Sequence, residues 1–408
     1  MSNDSSIFRP LAEEGIINAN AFLNQALDLI ANSAVLAPSL ENSVAIADAH
    51  YRVAIEQDIS PKRAKLHLNC AITLLQKLYA LPNFPFSLLA KSLMKRAHLF
   101  ELESEFHQAI FDYNQALMIF EDNALLLIDE EWLLLAECAI AIADLLTHSN
   151  LDQDILPVNA HPLFYINKGL KCLSLIHSPV EAAWPTLAYA HFLAGLNLSE
   201  SDMLASLEAF RTSVRTLFKT DTEIACQNLG DIYRHIGLLY ALHFEKHPPQ
   251  KRHLGLNDYA FIYFGISILF TPGECIDIDP GASFSELLFE TIYRAVDPYF
   301  TPISLTVMRD FIDALLFAYY CIMDESLTNK FLLAELKEKK TLQSFVKHIY
   351  LLVSFAFEQE NPIIRLLKGV DSSYADKTLD KEEIMNLIKN KGLDNIHYLR
   401  RQTLSVKA

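Results

Sequence analysis

Glycine is scarce in this chain, with 11 in 408 residues, and the Gly-rich loops that cradle phosphates are absent. Neither GxxxxGK[ST] nor GxGxxG occurs, so no nucleotide site is expected. There is no GxSxG elbow and no recognisable cysteine–histidine signature for nucleophilic catalysis. Cys70, Cys138, Cys172, Cys226, Cys275 and Cys321 stand singly, without a CxxC pair. That spacing argues against zinc and disulfide frameworks and fits a reducing, cytoplasmic compartment. Long apolar runs are missing too. The longest nearly apolar stretch, residues 259–272, is shorter than the ~20 residues that cross a bilayer. The opening MSNDSSIFRP has no basic segment followed by an apolar one, so neither a secretory signal nor membrane insertion is expected. Positive charge is in short supply, and the formal net charge is −16. Such a chain repels phosphate backbones, which argues against nucleic acid as a partner; the charge fits either a solvated acidic exterior or binding of proteins or peptides with basic segments. The acid excess falls in the first 330 residues, whereas residues 331–408 are slightly basic.

What remains is rich in helix formers and half hydrophobic, at 51%. That is ample for a sizeable core, and no β-branched run alternates for long at period two. An all-α fold is expected, either as two or three domains or as one long array with caps. Residues 90–123, AKSLMKRAHLFELESEFHQAIFDYNQALMIFEDN, show the organisation best. Leu93, Ala97 and Phe100 share one helical face; Ala109, Tyr113, Ala116 and Leu117 share another. The polar break Glu103-Ser104-Glu105 separates them. Small residues at 97, 109 and 116 allow two helices to approach closely while Leu93, Phe100 and Tyr113 fill the grooves.

This unit resembles a tetratricopeptide repeat, a helix-turn-helix of the same period. Arg96 stands where that family usually has leucine, and Glu121 where it usually has proline. The first-helix pattern recurs as Trp132-x2-Leu135-Ala136-x2-Ala139, Trp184-x2-Leu187-Ala188-x2-His191 and Cys226-x2-Leu229-Gly230-x2-Tyr233. In the last two, Gly195 and Gly237 fall where the family commonly turns. The second-helix pattern recurs as Ala64-x3-Leu68-x2-Ala71-Ile72 and Ala260-x3-Phe264-x2-Ser267-Ile268, closed by Pro272. The resemblance implies a tetratricopeptide-like α-solenoid of antiparallel helix pairs with helical caps. Residues 1–40 read as an N-terminal tail and capping helix, 41–325 as a degenerate array, and 326–408 as a C-terminal helical cap or small bundle. Ser60-Pro61 marks a helix start. Pro185 marks either a helix start or a kink near the first turn.

Candidate ligand sites are few. His243 and His247 lie four apart on one face, but the glutamate between them is misplaced for HExxH and no clear third ligand follows. Residues 371–382 begin and end with acids like a calcium loop, yet Ala375 and Asp376 occupy positions that need an oxygen ligand and a glycine. No metal and no cofactor is expected. The repeat resemblance supplies another surface, because first-helix positions line the family's concave groove. Carried over by phase, these are Lys91, Met94 and His98; Glu130, Leu133 and Glu137; Tyr189 and Phe192; Gln227, Asp231 and Arg234. The family's lysine/asparagine carboxylate clamp has no counterpart at Met94/His98, Leu133/Glu137 or Gln227/Asp231, and the acids there would repel a C-terminal carboxylate. The partner-binding set is therefore His98, Glu137, Tyr189, Phe192, Asp231 and Arg234. This implies a noncatalytic adaptor that grips another protein or peptide. An alternative is an enzyme with its site in the insertions at 148–162 or 243–256. Abundant Ile, Asn, Lys and Phe, few glycines and the Lys381-Glu382-Glu383 cluster resemble bacterial effectors translocated by type IV secretion, which implies delivery into a host cell.

Overall fold

The computed structural model describes Leu29, residues 39–56, 59–81, 84–149, 161–177, 181–220, 222–246 and 255–270, and six positions between 307 and 317. Among the described residues there are ten α-helices, one 3-10 turn (Ala124–Leu126) and no strand, so the all-α expectation is met. The helices are α1 (Leu40–Ala54), α2 (Pro61–Leu78), α3 (Phe86–Leu102), α4 (Phe106–Asp122) and α5 (Asp129–His148). They continue with α6 (Pro162–Ser174), α7 (Ala183–Leu198), α8 (Met203–Leu217), α9 (Thr222–Lys246) and α10 (Gly255–Phe270). The chain divides into two compact units, Arg9–Asn197 and Met1–Phe8 with Leu198–Ala408. The C-terminal region 326–408, the calcium-like stretch 371–382, residues 150–160 and residues 247–253, which include His247, lie outside the described residues.

Local chemistry sets the helix ends. Ser39 caps α1, its Oγ accepting from the Asn42 N–H at 3.1 Å. Pro61 and Pro162 open α2 and α6, positions where a missing N–H does no harm. Asp129, Glu130 and Glu131 crowd the first turn of α5, where the helix dipole favours acids. Pro185 is the third residue of α7, in the first turn, where its missing N–H leaves no intrahelical bond unmade. The α3–α4 turn is closed by backbone bonds from Ser104 N to Glu101 O (2.9 Å) and from Glu105 N to Phe100 O (2.8 Å). That pair is a Schellman arrangement, and it puts Ser104 in the left-handed region at φ 60°.

In the Arg9–Asn197 unit α1 packs on α2, α2 on α3, α3 on α4, α4 on α5 and α5 on α6, and α3 also touches α5. Leu93, Ala97, Ala109 and Ala116 are all fully buried, as their spacing requires for a close α3–α4 crossing. Arg96 has a partner that no helical pattern announces. Its Nε and Nη2 donate to the two carboxylate oxygens of Asp112 at 2.6 and 2.8 Å, and Nη1 donates to Asn69 Oδ1 at 2.7 Å. One guanidinium thereby ties α2, α3 and α4 together, with the Asp112 side chain only 2% exposed. Phe100 lies beneath two cations, Lys65 and Arg96, at 5.3 and 5.9 Å from its ring centre.

The turns expected at Gly195 and Gly237 are not there. Gly195 is buried within α7 and Gly237 within α9. A Cβ at 237 would lie 3.0 Å from the Phe264 ring and 3.2 Å from the Ala260 carbonyl. The missing side chain therefore allows α10 to approach α9, and the backbone continues as helix. Gly169 does the same in α6, where a Cβ would meet Ile140 of α5 at 2.8 Å. In the second unit α9 packs on both α8 and α10. Val307, Phe311, Ala314 and Phe317 are buried at helical spacing. Among the described residues no helix is long and apolar enough to cross a membrane.

Candidate functional site

Three carboxylates converge in the Arg9–Asn197 unit, each anchored by a neutral or weakly basic donor. Glu101 sits one turn after His98 on α3, with His98 Nδ1 3.2 Å from its Oε2. The phenol of Tyr113, on α4, also donates to Glu101. On α5, Glu137 and Asp144 are seven residues apart and so share a face. Thr186 of α7 donates to Glu137. Asp144 accepts from the Tyr189 phenol of α7 and lies 2.6 Å from His148 Nδ1. Asn197 braces the same pair of helices, its Nδ2 donating to Thr147 Oγ1 at 2.9 Å.

Electrostatics follow from burial. Glu137 is pushed up from 4.5 to about 7 because burial penalises its charge, and the bond from Thr186 only partly offsets this. The Tyr113 and Tyr189 hydroxyls are held well above the ordinary phenol value, first by burial and then by Glu101 and Asp144 respectively. Burial raises the Cys138 thiol as well, with Glu137 adding to it, so this cysteine is not a ready nucleophile. His148 is raised chiefly by its bond to Asp144. Among the described residues no lysine or arginine forms an ion pair with Glu101, Glu137 or Asp144.

Of the six residues expected to bind a partner, His98, Glu137, Tyr189 and Phe192 belong to this unit. His98 and Glu137 keep partial exposure, whereas Tyr189 and Phe192 are buried with their rings stacked 6.1 Å apart. The other two, Asp231 and Arg234, lie half-buried on α9 of the second unit. Sequence reasoning missed Glu101, Asp144 and Thr186, and it read Tyr113 only as packing. The available signal was spacing: Glu101 follows His98 by three, and Asp144 follows Glu137 by seven.

The second unit holds a polar centre that no motif announced. Arg211 of α8 donates from Nε to Asp310 Oδ2 at 2.8 Å and from Nη2 to the Tyr263 and Tyr240 hydroxyls at 3.1 and 3.4 Å. Tyr263 also donates to Asp310 Oδ2 at 2.6 Å. Tyr240 and Tyr263 stack with centres 5.5 Å apart and planes 12° from parallel. Burial works against the Arg211 charge, but Tyr263 and Asp310 outweigh it and hold the guanidinium protonated. With Arg211 and Asp310 only 12% and 13% exposed, the centre is an internal clasp rather than an open site. Both segments proposed as catalytic insertions, 148–162 and 243–256, fall largely outside the described residues. His148 and Pro162 lie in α5 and α6, His243 in α9. Among the described residues no group of three or more His, Cys, Asp or Glu is placed to hold a metal ion. No family model matches the chain, and neither does any curated protein or solved structure.

Proposed function

We propose that the chain is a noncatalytic interaction scaffold, built as a tetratricopeptide-like array, which binds a partner segment carrying basic residues against the α3, α5 and α7 face. The carrying observation is Glu137, a carboxylate raised to about 7 with no cation paired to it among the described residues. A lysine or arginine docked there would draw it back toward its ordinary range, so binding near neutral pH would release protons. Glu101 and Asp144 extend the same charge along the face, each held by a tyrosine hydroxyl. The array reading is supported by links between alternate helices. Tyr79, capping α2, donates to Asp122 of α4, and Lys168 of α6 pairs with Glu121 of α4 at 2.7 Å. On the opposite set, α3 touches α5 and α5 bonds to α7. In this reading the setting is the cytoplasm, either of the producing cell or of a host into which the protein is delivered.

Affinity capture with the wild type and Glu137→Lys in parallel tests the proposal, with circular dichroism verifying that both fold. A partner held by the wild type, released by salt and lost from the variant is the expected result. The same partners on both proteins would refute this face as the binding surface.

A further inference from the structure

His50 of α1 and His67 of α2 meet across the first helix pair. Their Nδ1 atoms are 2.8 Å apart, with ring centres separated by 5.1 Å and planes inclined by 44°. At that distance one nitrogen must carry the hydrogen and the other must offer its lone pair. We infer that this pair is a pH-sensitive latch, which holds α1 on α2 at neutral pH and releases it in acid. The argument is a proton count. A first added proton can go to the outward Nε2 of the donor ring, which leaves the bond between the rings intact. A second must go to the accepting Nδ1, and two N–H groups then face each other across 2.8 Å. The pair therefore tolerates one extra proton and not two.

Among the described residues the surroundings give the second proton no help. Burial of the His67 ring opposes its protonation, and Arg63, the neighbouring charge on α2, adds to this. His50 is likewise lowered by burial and then by His67. The nearest carboxylate on α1, Asp48, is already paired with Arg52 at 2.7 Å. Leu29, which packs against Ala49 and Val53, brings no charge. Both histidines thus bind protons less readily in the fold than in the unfolded chain. Stability from the latch is complete above the ordinary value of 6.5 and is lost as pH falls below it. The fully buried side chains of α1 are small, three alanines and one valine, Ala47, Ala49, Ala54 and Val53.

Hydrogen–deuterium exchange of the full chain, read by mass spectrometry, tests this at about pH 7.5 and about pH 5.5, corrected for intrinsic exchange. Peptides covering α1 should lose protection in acid relative to α5, by up to about tenfold for one excluded proton, because about pH 5.5 lies about one unit below the ordinary histidine value. His67→Asn retains a donor and an acceptor for His50 but cannot take the second proton, so it should keep α1 protected at both pH values. If that variant is unprotected already at neutral pH, the reciprocal His50→Asn serves the same comparison. Nitrogen-15 spectra of labelled histidine in the wild type add a readout independent of either variant. Two separate titrations, the lower coinciding with loss of α1 protection, are expected. Equal acid sensitivity of α1 and α5, retained acid sensitivity in the asparagine variants, or two superimposable titrations at the ordinary value would each overturn the latch.

Discussion

Replacing Glu137 by glutamine keeps the size of the side chain and an oxygen that can accept from Thr186, but removes the proton-dependent charge. In the wild type the carboxyl rises from 4.5 to about 7 on folding. A group raised in this way favours the fold below its unfolded value, and the advantage is lost as pH rises through about 7. At about 1.4 kcal/mol per pKa unit, the shift corresponds to roughly 3 kcal/mol between the protonation states. Partial contact with solvent reduces this to on the order of 2 kcal/mol. The stability of Glu137→Gln minus that of the wild type should therefore grow by about 2 kcal/mol between about pH 5 and about pH 9. Other titrating groups are common to both proteins and cancel in the difference. Urea titrations followed by circular dichroism would measure it. A difference that stays flat across this range would show that Glu137 is well solvated, and the electrostatic basis of the proposed cation-binding face would fail with it.

Two further substitutions probe the α3–α4 pair. Arg96→Leu installs the residue usual in tetratricopeptide repeats, yet it strands the Asp112 side chain, 2% exposed, without a counter-charge; a loss of roughly 3 kcal/mol in urea is expected, mostly recovered by adding Asp112→Ala. Ser104→Gly should stabilise the protein by about 0.5–1 kcal/mol, because it relieves a left-handed residue at the helix end, and a lowered melting temperature would contradict the turn geometry.

The α3–α4 pair was largely legible because its information is periodic. Leu93, Ala97, Ala109 and Ala116 announce a buried face through spacing alone, and all four are fully buried. Pair partners were not legible. Arg96 stood out as a misfit, but a helical period says which face a residue occupies and nothing about Asp112, sixteen positions on. Gly237 misled for a different reason: glycine serves both turns and close helix crossings, and only the position of Phe264 decides between them. The candidate face was half visible. Phase placed Glu137 and Tyr189 on first helices, but the phenol and hydroxyl donors that hold the acids come from side chains whose apolar bodies dominate any sequence pattern. The Arg211 clasp was invisible, since its partners lie 29, 52 and 99 positions away.

The division of the chain has a spectroscopic consequence. Its only two tryptophans, Trp132 and Trp184, both fall in the Arg9–Asn197 unit. Indole emission therefore follows that unit alone and is blind to the melting of the other. The remaining unit carries its own chromophore in the stacked rings of Tyr233, Tyr240 and Tyr263, whose near-ultraviolet dichroism depends on their fixed mutual orientation. Dichroism sums the aromatic residues of both units, Tyr113 and Tyr189 included, so a dichroism change without a change in indole emission reports the melting of the second unit.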